Sequence, residues 1–580
     1  MAIFRPRIKL SRMISPVDFF LFLGVLLFIY GMLGMTHEWV QPYHPKTEIQ
    51  LGFKNLLQYS FFSLFRVFAA YLLSLLFTFT YGYLAAKSKV MEPVLISLLD
   101  ILQSIPVLGF MPGFVLALVR FFPNSNFGLE LAAVLMIFTG EGWNLVFSFY
   151  SSVRGVPQEV RDMTSIFRLN KWKVLRTVEI PYAMNGLLWN SMLSMAGGWF
   201  FLMVIESFTL GEQDFRLPGI GSYMAVAYDK HDYSAVTLGI LVMFALIFVV
   251  DRVLWAPLVV WSEKFHYEKK MRTPEEGSGS IVLDLLQKSH IIERYFELRV
   301  MIKKRWDQRL SKSQISRNLI KRFNRPGRLS STLIRLLRGL FLILGVLFFI
   351  WAGTQMYQLI SATKPSEWLL QLRNTFLTFL RVTSAVLIGS LWTIPVGVFI
   401  GTHPQWTRRL QPLVQIVASF PAPMLFPILT LMMIRLGINF EWGSVVLMLF
   451  ASQWYILFNV ISGATLIPKE LIDLGLLFRL NGVQQWRAII FPSIFPSLVN
   501  GWITAAGGAW NASIVAELVQ QGEHKLIATG VGSSITQAAQ TSNFPQLATG
   551  IVVMITIVVL LNRLLWGSLY KLAETKYRLE

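Results

Sequence analysis

The chain has 580 residues, 54% hydrophobic and only 14% charged, with a formal net charge of +20 and no cysteine. Soluble chains carry about 25% charged residues, so the composition points into a membrane, and the absent cysteines exclude disulfides, thiolate chemistry and Cys-based metal sites. In a soluble protein such a basic surplus would suggest nucleic acid. In a membrane protein it fits basic residues held on one side of the bilayer, so the expected partner is lipid and not nucleic acid.

Met1–Arg12 is short and basic. An apolar stretch near 19–35 follows with no small-residue cleavage site after it, which reads as an uncleaved first helix whose N-terminus is cytoplasmic. Further apolar segments lie near 61–86, 94–120, 131–153, 183–206 and 234–258. A bilayer core takes about 20 helical residues to cross. Lys87, Lys89 and the basic stretch Arg154 to Arg176 fall on one side, and the Lys/Arg-poor loops near 37–58, 124–130 and 212–232 fall on the other. Residues 262–333 break the pattern with 17 Lys/Arg against 8 Asp/Glu, punctuated by GSGS at 277–280 and RPG at 325–327. They read as a basic cytoplasmic linker near anionic headgroups. Six more apolar segments follow near 334–352, 376–401, 411–435, 443–463, 494–517 and 546–568.

Only helices and closed barrels satisfy their backbone groups in lipid, and the alternation of a barrel strand is absent. The predicted fold is therefore all-α and membrane-integral, with about 12 transmembrane helices. Residues 1–261 form a first six-helix unit, 262–333 the linker and 334–580 a second six-helix unit, with both termini cytoplasmic.

The halves repeat. Pro157/Pro468, Pro181/Pro492, Trp199/Trp510, Glu206/Glu517, Gly219/Gly530, Gly221/Gly532 and Arg252/Arg563 are all 311 apart, and Arg66/Arg381, Pro106/Pro421 and Arg120/Arg435 are all 315 apart. One four-residue length change in the loop between the third and fourth segments reconciles the two registers. Two six-helix units that start on the same side are parallel repeats, related by a pseudo-twofold axis along the membrane normal.

One stretch of the repeat stands out. PQEVRDMTSIFRLNKWKVLRTVEIP (157–181) and PKELIDLGLLFRLNGVQQWRAIIFP (468–492) both lie between apolar segments, and both contain FRLN. The first turn of each is acidic (Glu159, Asp162; Glu470, Asp473), which suits a helix N-terminus. A basic and aromatic part follows (Arg168, Lys171, Trp172; Arg479, Trp486), and the prolines are expected to bound the helix. The bland alternative is an amphipathic interfacial helix anchored by Lys, Arg and Trp.

These stretches resemble the cytoplasmic loop of ABC importer permeases, which runs Glu-Ala-Ala, three residues, Gly, nine residues, Ile, one residue, Leu-Pro. Asp162 and Asp473 fall on its Glu, Val178 and Ile489 on its Ile, Ile180 and Phe491 on its Leu, and Pro181 and Pro492 on its Pro. The alanines are replaced by Met163-Thr164 and Leu474-Gly475, and the glycine by Arg168 or Arg479. AGGWFFLMVIE (196–206) and AGGAWNASIVAE (506–517) are similar to the fifth helix of permeases for nitrate, sulfonate, taurine and bicarbonate, and PGIGSY and ATGVGSS to the outer loop after it. The resemblance implies a type I ABC importer permease in duplicated single-chain form, in a bacterial-type cytoplasmic membrane. Its implied partners are two cytoplasmic ATPase subunits, each holding one loop helix, and an external or periplasmic substrate-binding protein. It implies a small anion as substrate and neither catalysis nor a cofactor in this chain, which also lacks a G-x-x-x-x-G-K-[ST] loop.

Charges at membrane depth are candidate pathway or gate residues. Arg66, Arg120, Arg381 and Arg435 lie toward the outer ends of the second and third segments, where two roles fit: drawing an anion inward, or snorkelling and packing. Glu141, with Ser452 as its repeat partner, is expected to line a cavity or pair with an arginine. Glu206 and Glu517 end the fifth segment and suit a gate or packing role. The Gly-x-Gly pairs at 219–221 and 530–532 read as tight turns. The seven histidines show no metal-ligand spacing. A 12-helix secondary transporter is the alternative, although the short 85–92 loop AAKSKVME is unlike the Gly/Asp/Arg-rich loop expected there. A membrane enzyme has weaker support, because no carboxylate pair, His cluster or nucleophile motif converges.

Overall fold

A computed structural model of the chain describes residues 16–40, 47–262 apart from 212, and 353–577 apart from 522 and 523, with scattered positions from 265 to 351. The basic N-terminus, most of the 262–333 linker and most of the 334–352 segment lie outside the described residues. The chain gathers into two compact units. One holds residues up to Leu33 together with Thr273–Ala362, and the other holds Gly34–Arg272 with Thr363–Glu580. In the first unit Asp18 is buried and accepts a hydrogen bond from Ser289 (2.6 Å). The expected first segment of each six-helix unit thus falls in the first unit, and the second unit carries the rest of both.

Among the described residues nine helices are long and apolar enough to cross a membrane, or ten if one bent pair counts as a single crossing. In each half of the larger unit three long helices pack side by side: Phe53–Phe77, Phe127–Arg154 and Ile180–Ile205 in the first, and Pro365–Thr402, Phe440–Thr465 and Phe491–Ala516 in the second. Helices in lipid gain nothing from apolar burial alone and rely on close packing at small residues. A Cβ on Gly140 would lie 2.2 Å from the Phe201 ring, and one on Gly401 would lie 2.6 Å from Ala464 Cβ.

The segments at 94–120 and 411–435 are not single helices as expected. The first is two helices, Glu92–Ser104 and Val107–Phe121, bent by 94°. The second breaks into Pro404–Ser419, a short turn and Phe426–Arg435. Both breaks fall at a proline, Pro106 and Pro421. The residue before each is extended (Ile105 ψ 121°, Phe420 ψ 127°), as the proline ring requires of its predecessor. Past its break, Val107–Phe121 packs on Phe491–Ala516 of the other half.

After the long helices Ile180–Ile205 and Phe491–Ala516 comes a two-stranded antiparallel hairpin, Ser207–Leu210 with Gln213–Arg216 and Leu518–Gln521 with His524–Ile527. A short helix follows each, Ile220–Asp229 and Val531–Gln540. The hairpins thus mark one end of the bundle, and the 157–181 and 468–492 loops mark the other.

Candidate functional site

At the loop end, Pro157 and Pro468 precede short helices, Gln158–Ile166 and Lys469–Leu477. Both helices stop at FRLN, where each residue takes a defined role. Phe167 and Phe478 cap the helix, and Arg168 and Arg479 take positive φ (46° and 49°). Arg168 N–H donates to Ser165 O and Leu169 N–H to Thr164 O (3.0 Å each); Arg479 to Leu476 O and Leu480 to Gly475 O repeat the pattern. This pair of bonds closes a helix in the left-handed C-terminal motif that glycine usually fills. The arginines at the family's glycine position therefore keep the glycine backbone. Asn170 and Asn481 then cap the next helix by accepting from Lys173 N and Gln484 N. The motif is a helix–corner–helix.

Pro181 and Pro492 do not end a helix, contrary to expectation. The chain runs helically through a wide turn, Leu175–Glu179 or Trp486–Ile490, into the long helix in which each proline occupies the first turn. That position needs no N–H donor from the proline, and wide turns absorb local strain in helices.

The loop helices expose large apolar side chains: Met163, Ile166, Phe167 and Trp172 in the first, and Leu474, Leu476, Leu477, Phe478 and Val483 in the second. Glu159, Asp162, Lys171, Glu470 and Asp473 are exposed among them, while Trp486 is half-buried. Exposed apolar clusters rimmed by charge mark protein interaction surfaces. The first loop is tied down by Arg161, which donates to the carbonyls of Val153, Arg154 and Val156 (3.3, 2.5 and 3.1 Å). Nearby, Lys87 pairs with Glu179 and Arg154 with Glu92. The register equivalents of these five charged residues are Ile472, Thr402, Ile490, Thr465 and Thr407, so the second loop lacks those ties.

At the hairpin end Arg66 and Arg381 are not free to attract an anion. Arg66 is fully buried and donates to both oxygens of Glu130 (2.7 and 2.6 Å), to Glu206 (2.7 Å) and to the Pro218 carbonyl (2.8 Å). Arg381 donates to Glu517 (2.9 Å) and the Thr529 carbonyl (2.9 Å), and pairs with Glu441. Ser63 and Thr378 donate to the same glutamates (2.7 Å each), and Gly221 and Gly532 N–H bond their second oxygens (2.7 and 2.8 Å). The Gly-x-Gly pairs follow from this packing. A Cβ on Gly219 or Gly530 would lie 2.2 or 2.1 Å from the carboxyl group of Glu206 or Glu517. Glu130, Glu441, Ser63 and Thr378 were missed in the sequence, although each pair keeps the repeat register. Arg120 and Arg435 end their helices exposed on the surface, outside these clusters.

Between the halves lies a cavity of about 130 Å³, walled by Gln103, Thr139, Gly140, Asn144 and Gly197 from the first half and Tyr455, Thr504, Gly507, Gly508 and Asn511 from the second, among others. None of the expected arginines or glutamates lines it, and among the described residues neither does any other charged side chain. Its polar groups are amides and hydroxyls. Asn511 Oδ1 accepts from Val107 N–H (2.7 Å), so the break at Pro106 presents a helix N-terminus at the wall. The register counterpart is an apolar pocket of about 30 Å³ around Phe200, Phe420 and Phe450.

A family model for the binding-protein-dependent transport system inner membrane component matches residues 78–254 and again 393–579, more than half of the chain. Among similar proteins, the bicarbonate transport system permease protein CmpB of Synechocystis is 26% identical over 183 residues, 32% of this chain and 62% of that protein. A putative ABC transporter permease of Methanocaldococcus jannaschii is 27% identical over 146 residues, 25% of this chain and 53% of that one. The nitrate import permease protein NrtB of Leptolyngbya laminosa is 26% identical over 184 residues, 32% and 62%. The chain thus spans between about half and just under two thirds of these relatives. Matched twice in tandem, in a predominantly helical membrane fold with two equivalent loops, the chain belongs to the family of binding-protein-dependent transport system inner membrane components.

Proposed function

We propose that the chain is the substrate-conducting permease of an ABC importer for a small anion, with its two repeats each supplying half of the pathway and 262–333 joining them on the cytoplasmic side. The observation that carries this reading is the pair of loop helices, Gln158–Ile166 and Lys469–Leu477, with exposed apolar faces at the same end of the bundle. Each loop docks one cytoplasmic ATPase subunit, so one chain offers both docking points. ATP-driven approach of the two subunits moves the loop helices, and the long helices that continue from them carry that movement to the cavity wall at Gly197 and Gly507–Gly508. Both termini and both loops lie in the cytoplasm, and a substrate-binding protein delivers at the hairpin end. The chain itself performs no catalysis and holds no cofactor.

The substrate class follows two lines. Relatives carry bicarbonate and nitrate in their names. The cavity offers amides, hydroxyls and glycine backbone, groups that hold a small oxoanion by hydrogen bonds without trapping it in an ion pair. The test is capture of the cognate ATPase by the full chain, with Asp162→Arg, Phe167→Glu, Asp473→Arg and Phe478→Glu combined, and uptake of labelled nitrate and bicarbonate into proteoliposomes with the binding protein. Loss of both ATPase capture and ATP-driven uptake is expected. Unchanged capture and uptake would remove the docking assignment, and uptake without any ATPase would favour a secondary transporter.

A further inference from the structure

Glu141 belongs neither to the ion clusters nor to the cavity wall. It lies near the middle of the 28-residue helix Phe127–Arg154 and is fully buried. Neither carboxyl oxygen has a hydrogen-bond partner among the described residues. The expectation that it lines the cavity or pairs with an arginine is therefore not met. It packs on Gly198 of the facing helix, where a Cβ would lie 2.2 Å from Oε1. Around it the helices present further uncharged polar groups. Ser194, one turn from Gly198, and Thr78, two turns along from Tyr71, also have buried hydroxyls without partners.

The titratable group facing Glu141 from the helix Phe53–Phe77 is Tyr71, whose hydroxyl donates to Ser191 (2.9 Å). The helix Ile180–Ile205 presents Ser191, Ser194 and Gly198, none of them titratable. Arg120, on Val107–Phe121, is exposed at that helix's far end, and Lys87 is engaged by Glu179. Across the cavity, Tyr455 faces Gly197. Among the described residues no cation offsets the carboxylate, and an ionised acid without a partner is not sustained in a dry, lipid-surrounded core.

We propose that Glu141 is a proton-binding site coupled to the opening of the cavity. In the conformation described, the side chain is the neutral acid. Gly140 and Gly197, one residue before Glu141 and Gly198, form the cavity wall, so the carboxyl group sits directly behind it. Rotation of either helix as the cavity widens wets the group. The O–H bond then breaks, the proton passes to cavity water as hydronium, and the carboxylate remains, hydrated. Closure reverses the step. The coupling rests on the reading of the cavity as the transport path; the protonated resting state does not.

The repeat supplies its own control. Ser452, the register equivalent, is buried and bonds its own helix at Met448 O (2.8 Å), so Glu141→Ser places in the first half what the second half already tolerates. The full chain in lipid nanodiscs is expected to show the infrared carbonyl band of a protonated carboxylic acid at neutral pH, lost in Glu141→Gln and in Glu141→Ser. Absence of that band, or its persistence in both variants, overturns the site. In the assembled complex, ATP hydrolysis by the ATPase subunits is expected to vary with pH more steeply with the wild-type chain than with either variant. Identical profiles overturn the coupling. Failure of the ATPase to assemble at all counts against the importer reading and leaves the infrared result to decide the site.

Discussion

Arg66 and Arg381 distinguish an anion ligand from a packing element, because the two readings assign opposite effects to the same substitution. Arg66→Gln removes all four donated bonds while Glu130 and Glu206 stay buried. Glu206 keeps Ser63 and Gly221 N–H, but Glu130 loses both of its contacts to Arg66. Breaking one partner out of a buried ion pair costs about 3–5 kcal/mol. Arg381→Gln has the same form but a different outcome. The side chain of Glu441 is 41% exposed, against 3% for Glu130, so it rehydrates, and the cost falls to about 1–3 kcal/mol. Thermal unfolding followed by tryptophan fluorescence in one detergent should therefore rank wild type above Arg381→Gln above Arg66→Gln. Midpoints are ranked and not converted, since a multi-span chain does not unfold in two states. Adding Glu130→Gln to Arg66→Gln should recover part of the loss, because it removes the stranded charge. An Arg66→Gln chain that melts with the wild type while losing anion uptake would refute the packing role and restore the arginine to the pathway.

Arg168→Gly and Arg479→Gly should each raise the unfolding midpoint, since a non-glycine residue in the left-handed region costs about 1–2 kcal/mol; a lowered midpoint for both would contradict the corner described. Hydrogen exchange should be faster in Lys469–Leu477 than in Gln158–Ile166, and Arg161→Ala should bring the first loop toward the second. Hydrogen bonds from the Ser234 side chain and then the Ala235 backbone hold the Asp232 carboxyl below its usual range. A depressed acid contributes stability that is fully present above the ordinary carboxylate range and is lost as pH falls through its folded value. The helix start Tyr233–Val250 should accordingly fray at strongly acidic pH in the wild type but not change with pH in Asp232→Asn, as read by exchange at Ser234 and Ala235.

Much of the fold was legible because lipid imposes it. Apolar length gave the long helices, and the two registers gave the duplication. What could not be read was anything set by a contact distant in sequence. Arg66 looks the same in the sequence whether it faces an anion or two glutamates 64 and 140 positions away. Pro106 and Pro181 are both prolines in apolar surroundings. The first breaks its helix, because its predecessor is extended. The second does not, because a wide turn precedes it. The cavity was invisible for a related reason. Much of its wall is glycine, threonine and asparagine, residue types that read in a span as ordinary helix-packing positions.

The halves diverge unevenly, and the pattern bears on how the cavity works. At the hairpin end Ser63/Thr378, Arg66/Arg381, Glu130/Glu441, Glu206/Glu517 and Gly221/Gly532 pair with equivalent partners twice. That network fixes backbone geometry, and a duplicated backbone has one solution for both copies. At the centre the copies disagree: Thr139 against Phe450, Glu141 against Ser452, Asn144 against Tyr455, and Phe200 against Asn511. A cavity between two repeats is occupied once, so its two walls need not match. Two identical chains could not set Thr139, Asn144 and Asn511 against Phe450, Tyr455 and Phe200. Fusion into one chain permits it, giving a polar cavity on one side and an apolar pocket on the other. Exchanging Phe200→Asn together with Asn511→Phe should then move one amide of the wall from the second half to the first and keep the fold. Loss of uptake from Asn511→Phe alone, regained in the double exchange, is the expected result; equal loss in both would mean that the asparagine serves only to cap Val107.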